Sequence, residues 1–158
     1  MNKKPIVLGI CTANRCRSQM FEAILKHLAG EKITALSAGT KATFVHPLAI
    51  KVLKEIDVPV VNQVSKKVEK FDVNNDKLVL LDQNNATVDC PLSEIFHIIT
   101  LCGGVQESCP IFLGEITMEH WPIDDPDQYS GSEEDVLPYF RASRDDIYNR
   151  IQSFIEQI

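Results

Sequence analysis

The hydrophobic residues of this chain recur with two different periods, and the alternation between them predicts the fold. Continuous apolar runs at Ile6–Cys11 and at residues 96–101 are typical of strands that are buried on both faces. Shorter runs at residues 33–37 and 116–121 predict two further strands. Elsewhere, apolar residues return with the period of a helix that buries one face.

Three helices follow from that helical spacing. The first spans residues 18–29 and stops at Gly30, because glycine commonly ends a helix. The second begins at Pro47, since proline fits the first helical position. The third spans residues 137–158. Helices therefore separate the predicted strands, which is the pattern of crossover connections.

Strands that alternate with helices predict an α/β protein, a three-layer sandwich with a central four-stranded parallel sheet. A length of 158 residues fits one such domain, spanning residues 1–158. Ligands bind at the carboxyl ends of the strands in sheets of this kind. Cys11, Cys102 and Asp125 follow the first, third and fourth predicted strands. The topology therefore predicts that these three residues meet at one rim of the sheet.

Residues 66–94 interrupt the alternation and are interpreted as an insertion. Within them, residues 77–81 and 86–88 are predicted to form a small hairpin around Gln83, Asn84 and Asn85. Loops at the surface tolerate added residues. The insertion is therefore expected to be a surface excursion without a catalytic role.

The composition narrows the classes of partner. The net charge of −6 argues against nucleic acid or an anionic membrane as a partner. No apolar run approaches the length of a membrane span, and the N-terminus lacks the apolar stretch of a signal peptide. We therefore expect a cytoplasmic monomer in which any anion site is built locally, from loop amides and arginines.

The cysteines indicate thiol chemistry rather than a disulfide framework. Five cysteines form an odd count in a chain without a secretory signal, and they lie at positions 11, 16, 90, 102 and 109. No two of them show the Cys-x2-Cys spacing of a zinc site, and the histidines are scattered. Neither a bound metal nor another cofactor is predicted.

The stretch CTANRCRS, residues 11–18, joins the first strand to the first helix. A short loop at a helix N-terminus aims several backbone N–H groups at one point, where the helix dipole adds positive charge. Arg17 supplies a planar fork of donors suited to a tetrahedral oxyanion, and Ser18 is placed to donate to a Cys11 thiolate. The stretch predicts a sulfur nucleophile that attacks a phosphate-like anion. The predicted anion-binding residues are Cys11, Thr12, Ala13, Asn14, Arg15, Cys16, Arg17 and Ser18.

Four stretches of the chain together resemble a known family. They are the loop CTANRCRSQM, the string SAGT that begins at Ser37, the string IITLC with a second cysteine seven residues on, and EHWPIDDP. These resemble thioredoxin-coupled arsenate reductases, which share the fold of the low-molecular-weight protein tyrosine phosphatases. The resemblance covers residues 4–63 and 96–154.

The resemblance implies a relay of three cysteines. The Cys11 thiolate would attack arsenate held by the loop amides and Arg17, while Asp125 protonates the departing oxygen. Cys102 would then attack Cys11, so that arsenite leaves and a disulfide forms. Cys109 would attack Cys102, and thioredoxin would reduce the resulting pair. Arsenate or a similar oxyanion is thus the expected substrate.

Some reductases of this type hold a potassium ion beside the loop, and the resemblance extends to three of its four residues. Asn14, Glu22 and Ser37 match that site, whereas Lys66 stands where the family has an aspartate. An ammonium group at that position would replace the ion by pairing with Glu22. We therefore expect no dependence on potassium. The alternative is a solvated lysine on the surface.

Two other functions remain open on the residues alone. A low-molecular-weight protein tyrosine phosphatase would need Cys11, Arg17, Ser18 and Asp125, but not the second pair of cysteines. A non-catalytic oxyanion sensor or thiol-redox switch would use its cysteines to signal rather than to turn over substrate. Cys16 is interpreted as a spectator in every case.

Overall fold

The computed structural model describes residues 3–102 and 115–158. That part of the chain contains seven strands and three α-helices, together with two short 3-10 turns. The strands are β1 (Ile6–Cys11), β2 (Thr34–Gly39), β3 (Lys66–Asp72), β4 (Lys77–Asp82), β5 (Thr87–Cys90), β6 (Ile95–Thr100) and β7 (Thr117–His120). The helices are α1 (Arg17–Ala29), α2 (Pro47–Lys54) and α3 (Glu133–Gln157).

One sheet contains all seven described strands, in the order β5-β4-β3-β2-β1-β6-β7. Strands β2, β1, β6 and β7 are mutually parallel, which confirms the four parallel strands of the prediction. The count of four for the whole sheet is wrong, because the segment 66–94 adds β3, β4 and β5 to one edge. The sheet is therefore mostly parallel, with an antiparallel extension.

The predicted hairpin is confirmed as β4 and β5, but β3 was not predicted. Its sequence KKVEKFD is rich in charge, and a register shift between Val68 and Lys70 breaks the alternation that would identify a strand. Strand β3 joins the parallel part through one pair, Gly39 with Lys67. The segment is thus an extension of the central sheet rather than a separate surface excursion.

Side chains of β1 alternate between two apolar clusters, as expected for a strand buried on both faces. Val7 and Cys11 belong to the cluster that includes residues of all three helices. Leu8 and Ile10 belong to the other cluster, which includes Leu78 of β4 and residues of β6. The extension therefore contributes to the hydrophobic core.

The helices begin where local capping chemistry allows. Helix α2 starts at Pro47 as predicted, and the ring nitrogen Nδ1 of His46 accepts from the N–H of Leu48. Helix α3 begins at Glu133, earlier than predicted, because Ser132 and Asp135 form a capping box. Among the described helices, none is long and apolar enough to cross a membrane.

Candidate active site

The loop between β1 and α1 offers unused donors at a helix N-terminus. The backbone N–H groups of residues 13–16 donate no hydrogen bond within the described part of the chain. The side chain of Cys16 does not cap α1, and the first turn of the helix carries no acidic residue. The hydroxyl of Thr12 is also buried without a partner there. Such a concentration of donors is suited to an anion.

Cys11 lies at the end of β1 and is 2% exposed. Its Sγ is 2.8 Å from the Oγ of Ser18, in the first turn of α1. The side-chain amide of Asn14 donates to the same Oγ at 2.7 Å, so the hydroxyl proton of Ser18 is directed to the sulfur. Ser18 is thereby oriented as a donor to the sulfur of Cys11.

Asn14 fixes the shape of the loop. Its φ of 47° lies in the left-handed region, which asparagine tolerates better than most residues. Its side-chain amide donates to Ser37 as well as to Ser18, and its Oδ1 accepts from Gln19 and from the backbone N–H of Lys66. Asn14 is fully buried, and all the hydrogen-bonding capacity of its side chain is used.

Arg17 joins the loop to the ends of two other strands. Its guanidinium donates to the carbonyls of Leu101 and Ile123, each at 3.2 Å, and its side chain is 3% exposed. Its Nη2 also lies 3.5 Å from the Oδ2 of Asp125. Asp125 therefore lies at the rim where β1 ends at Cys11, as the topology predicts, and Arg17 contacts it there.

The two neighbouring aspartates point to different partners. Asp125 faces Arg17, and its Oδ1 accepts from the backbone N–H of Asp127. Asp124 instead accepts from the phenol of Tyr129 at 2.6 Å and from the side-chain amide of Gln128. The bond to Asp124 raises the pKa of Tyr129. Only Asp125 is directed towards the loop, so it is the better candidate for a proton donor.

Cys102 follows β6 and therefore lies at the same rim of the sheet as Cys11, because β6 pairs in parallel with β1. Ile10 is in register with Thr100, and the N–H of Leu101 continues the ladder to the carbonyl of Ile10 at 2.7 Å. Cys102 is 2% exposed and disulfide-bonded, whereas Cys11 is a free thiol. Cys109 lies outside the described residues, so its role stays a prediction.

The side chains of Arg15 and Cys16 also belong to the loop, and Cys16 offers no second nucleophile. Burial, and then the charge of Asp127, raise the pKa of Cys16 far above that of an ordinary thiol, so its sulfur is held protonated. This agrees with a spectator role. Arg15 lies 3.3 Å from Asp127 and stacks over the ring of Phe44.

Lys66 occupies the buried position that the resemblance assigned to an ion. Its Nζ is 3.3 Å from Glu22 Oε1 and donates to the carbonyl of Val64 at 3.0 Å. Ser37 donates to the same oxygen of Glu22 at 2.9 Å. Lys66 is 5% exposed, so the predicted ion pair is present and the solvated alternative is wrong. No cluster of metal-ligating side chains occurs among the described residues.

Three residues that support the loop were missed by the sequence reasoning. Gln19 is buried and donates to Asn14 and to Val64. Ser65 is buried and donates to the carbonyl of Ala13. Gly39 lies so close to the loop that a Cβ would stand 2.6 Å from the carbonyl oxygen of Thr12. The string SAGT signals this last contact, since only glycine fits so close an approach.

Comparison with known proteins agrees with this geometry. The model of the family described as low molecular weight phosphotyrosine protein phosphatase matches residues 6–158. The chain belongs to that family. Within it, the chain is 34% identical to an arsenate reductase of Bacillus subtilis strain 168, covering 96% of this chain and 95% of the relative. An arsenate reductase of Oceanobacillus iheyensis is 34% identical over 98% of this chain and 96% of its own length.

A solved structure shows the same fold. It is described as an arsenate reductase in the phosphate binding state, with a TM-score of 0.70 and 27% sequence identity. The alignment covers 98% of both chains. The alignment therefore extends over nearly the whole of this chain, including its β3–β5 extension.

Proposed function

We propose that this protein reduces arsenate to arsenite through a relay of three cysteines, Cys11, Cys102 and Cys109. Two observations support it. The loop presents Cys11 beside a set of unused donors, and the neighbouring strand β6 is followed, two residues on, by a second, disulfide-bonded cysteine. Relatives that are 34% identical over nearly their whole length are named arsenate reductases.

The first step is substitution at arsenic. Amides of residues 12–17 and the guanidinium of Arg17 bind the oxyanion, and the Cys11 thiolate attacks arsenic(V). A hydroxyl group of the arsenate receives a proton from Asp125 and leaves as water. The product is a Cys11–arsenic(V) thioester-like adduct, in which no electrons have yet been transferred.

The second step is the reduction. The thiolate of Cys102 attacks the sulfur of Cys11, the sulfur–arsenic bond breaks, and its electron pair stays on arsenic. Arsenite leaves, and the two electrons have come from the two thiols, which now form the Cys11–Cys102 disulfide. Attack by Cys109 on Cys102 releases the Cys11 thiolate and forms a Cys102–Cys109 disulfide.

A dithiol reductant must then restore the pair, and thioredoxin is the proposed partner. The register between β1 and β6 carries the argument for a reductase, because Cys102 is one residue beyond Leu101, whose N–H makes the last bond of the ladder, to Ile10, the residue before Cys11. A simple phosphatase has no use for this second sulfur.

Steady-state arsenite production tests the proposal. Purified full-length protein is mixed with arsenate, thioredoxin, thioredoxin reductase and NADPH, and NADPH oxidation is followed. We expect Cys109→Ser to abolish turnover while p-nitrophenyl phosphate hydrolysis continues. The matched control is Cys90→Ser, at a buried free cysteine in β5, which should keep full turnover. Turnover that survives Cys109→Ser would contradict the relay.

Phosphate monoester hydrolysis is the second candidate function. The loop, Arg17 and Asp125 are all that this reaction requires, and arsenate and phosphate share shape and charge. Fast hydrolysis of p-nitrophenyl phosphate without any arsenate turnover would favour it. Oxyanion binding with neither reaction would indicate a sensor instead.

A further inference from the structure

The β3–β5 extension contacts the nucleophile loop through its first residues. The Oγ of Ser65 donates to the carbonyl of Ala13 at 3.2 Å and accepts from the backbone N–H of Thr43 at 2.8 Å. The next residue, Lys66, donates its backbone N–H to the side chain of Asn14 at 2.7 Å. The extension therefore holds the part of the loop that runs from Ala13 to Asn14.

Ser65 is itself held by Gln83, which lies in the turn between β4 and β5. The backbone N–H of Gln83 donates to the carbonyl of Ser65 at 2.8 Å. In return, the N–H of Ser65 donates to the Oε1 of Gln83 at 2.9 Å. One residue thus satisfies both backbone groups of a serine that is fully buried.

A structural hydrogen bond from the protein to the side chain of Gln83 is unusual, because Gln83 is an exposed residue in a turn. An exposed turn residue commonly has its side chain in water, where loss of the side chain has little effect. Here the side chain replaces a strand partner for Ser65, whose hydroxyl reaches the loop. The contact depends on the position of the turn, because Gln83 directly follows β4 and β4 pairs with β3.

The consequence for the anion site follows from the planarity of the peptide. In a trans peptide the C=O and the following N–H point in opposite directions. Ser65 and Thr43 both donate to the carbonyl of Ala13, so the N–H of Asn14 is directed away from them. That N–H is one of the unused donors of the loop.

We propose that Gln83 is a positioning residue for the anion-binding loop, acting through Ser65 to fix the peptide between Ala13 and Asn14. The extension is then part of the active-site framework. The inference rests on the proposed function only in taking the loop as the oxyanion site. It predicts weaker oxyanion binding when the Gln83 acceptor is lost.

Protection of Cys11 by inorganic phosphate measures this effect. Full-length reduced protein is alkylated with iodoacetamide at increasing phosphate, and modification of the Cys11 peptide is followed by mass spectrometry. Loss of one hydrogen bond that orients a donor should raise the phosphate concentration for half protection about fivefold in Gln83→Ala. Gln83→Glu keeps an acceptor for Ser65 and should restore the original value to within about twofold. Asn84→Ala, at the exposed neighbour in the same turn, is the matched control and should also leave it unchanged.

A double-substitution cycle tests whether Gln83 acts through Ser65. Ser65→Ala should weaken protection, and adding Gln83→Ala to it should have no further effect. Unchanged protection in Gln83→Ala, or a Gln83→Glu variant as weak as Gln83→Ala, would overturn the proposal. Phosphate protection without arsenate turnover in the unaltered chain would remove the reductase function and leave this positioning role intact.

Discussion

Replacing Lys66 by methionine isolates the buried charge pair beside the nucleophile loop. Methionine keeps most of the apolar stem, so packing is retained while the ammonium is removed. The side chains of Lys66 and Glu22 are 6% and 10% exposed, and their charged atoms are 3.3 Å apart. After the substitution, Glu22 keeps one described donor, the hydroxyl of Ser37. A carboxylate then remains buried without a cation.

The expected cost is large because water cannot reach the unpaired charge. Removing one partner of a buried ion pair destabilises a protein by about 3 to 5 kcal/mol. Lys66 also donates to the carbonyl of Val64, so a second hydrogen bond is lost in the same variant. We therefore expect Lys66→Met to lower the free energy of unfolding by about 3 kcal/mol or more. Glu22→Gln keeps an acceptor for Ser37 but removes the negative charge. It should also lower the free energy of unfolding, because the buried ammonium of Lys66 is then unpaired.

Urea unfolding followed by the fluorescence of Trp121 measures both effects. Trp121 is the single tryptophan of the chain and is 5% exposed, so its emission reports on the core. The double variant should cost less than the sum of the single variants by about 2 kcal/mol, because the second substitution removes an already unpaired charge. A loss under about 1 kcal/mol in Lys66→Met, with additive behaviour in the double variant, would refute the reasoning.

Two further predictions concern proton transfer and pH. Asp125→Asn should lower the rate of p-nitrophenyl phosphate hydrolysis about 100-fold or more, whereas Asp124→Asn should change it less than about threefold, since only Asp125 faces Arg17. Equal effects in the two variants, measured at saturating substrate, would contradict this assignment. Hydrogen bonds from Arg141, and then from Arg144, lower the pKa of Glu55 to about 2 from an ordinary 4.5. The contribution of Glu55 to stability is therefore present above pH 4.5 and is lost as the pH falls towards 2. Urea unfolding should therefore find Glu55→Gln less stable than the parent at pH 6, with a difference that shrinks as the pH approaches 2.

The features predicted from the sequence are those with local signals. The apolar run of β1 and the cysteine–arginine loop that follows it lie within a few residues of one another, so their geometry depends on short-range chemistry. The position of Asp125 at the rim where Cys11 ends β1 also followed from sequence, because parallel strands share a carboxyl rim whatever their side chains are. The parallel pairing of β1 with β6 likewise puts Cys102, two residues after β6, at the same rim as Cys11.

The features that were missed depend on pairing between distant segments. Strand β3 has a charged sequence and a bulge, and a single register pair joins it to the parallel sheet, so no local period reveals it. Ser65 and Gln83 bind each other through backbone groups and one side-chain amide oxygen, and such contacts leave no pattern of residue types in the sequence. Their partners become known only when β3 and β4 are paired.

Lys66 makes one contact that the sequence predicts and another that it does not. The charge of Lys66 made its pairing with Glu22 predictable, since a cation was needed beside a carboxylate that the resemblance placed at the loop. The backbone N–H of the same lysine bonds Asn14, and that bond depends on β3 being a strand at all. Because Asn14 uses its whole side chain on four groups from β2, α1 and β3, displacement of any one of these elements leaves a buried amide unsatisfied. The loop conformation is therefore a property of the extended sheet, and the residues of the extension belong to the same cooperative unit as the nucleophile.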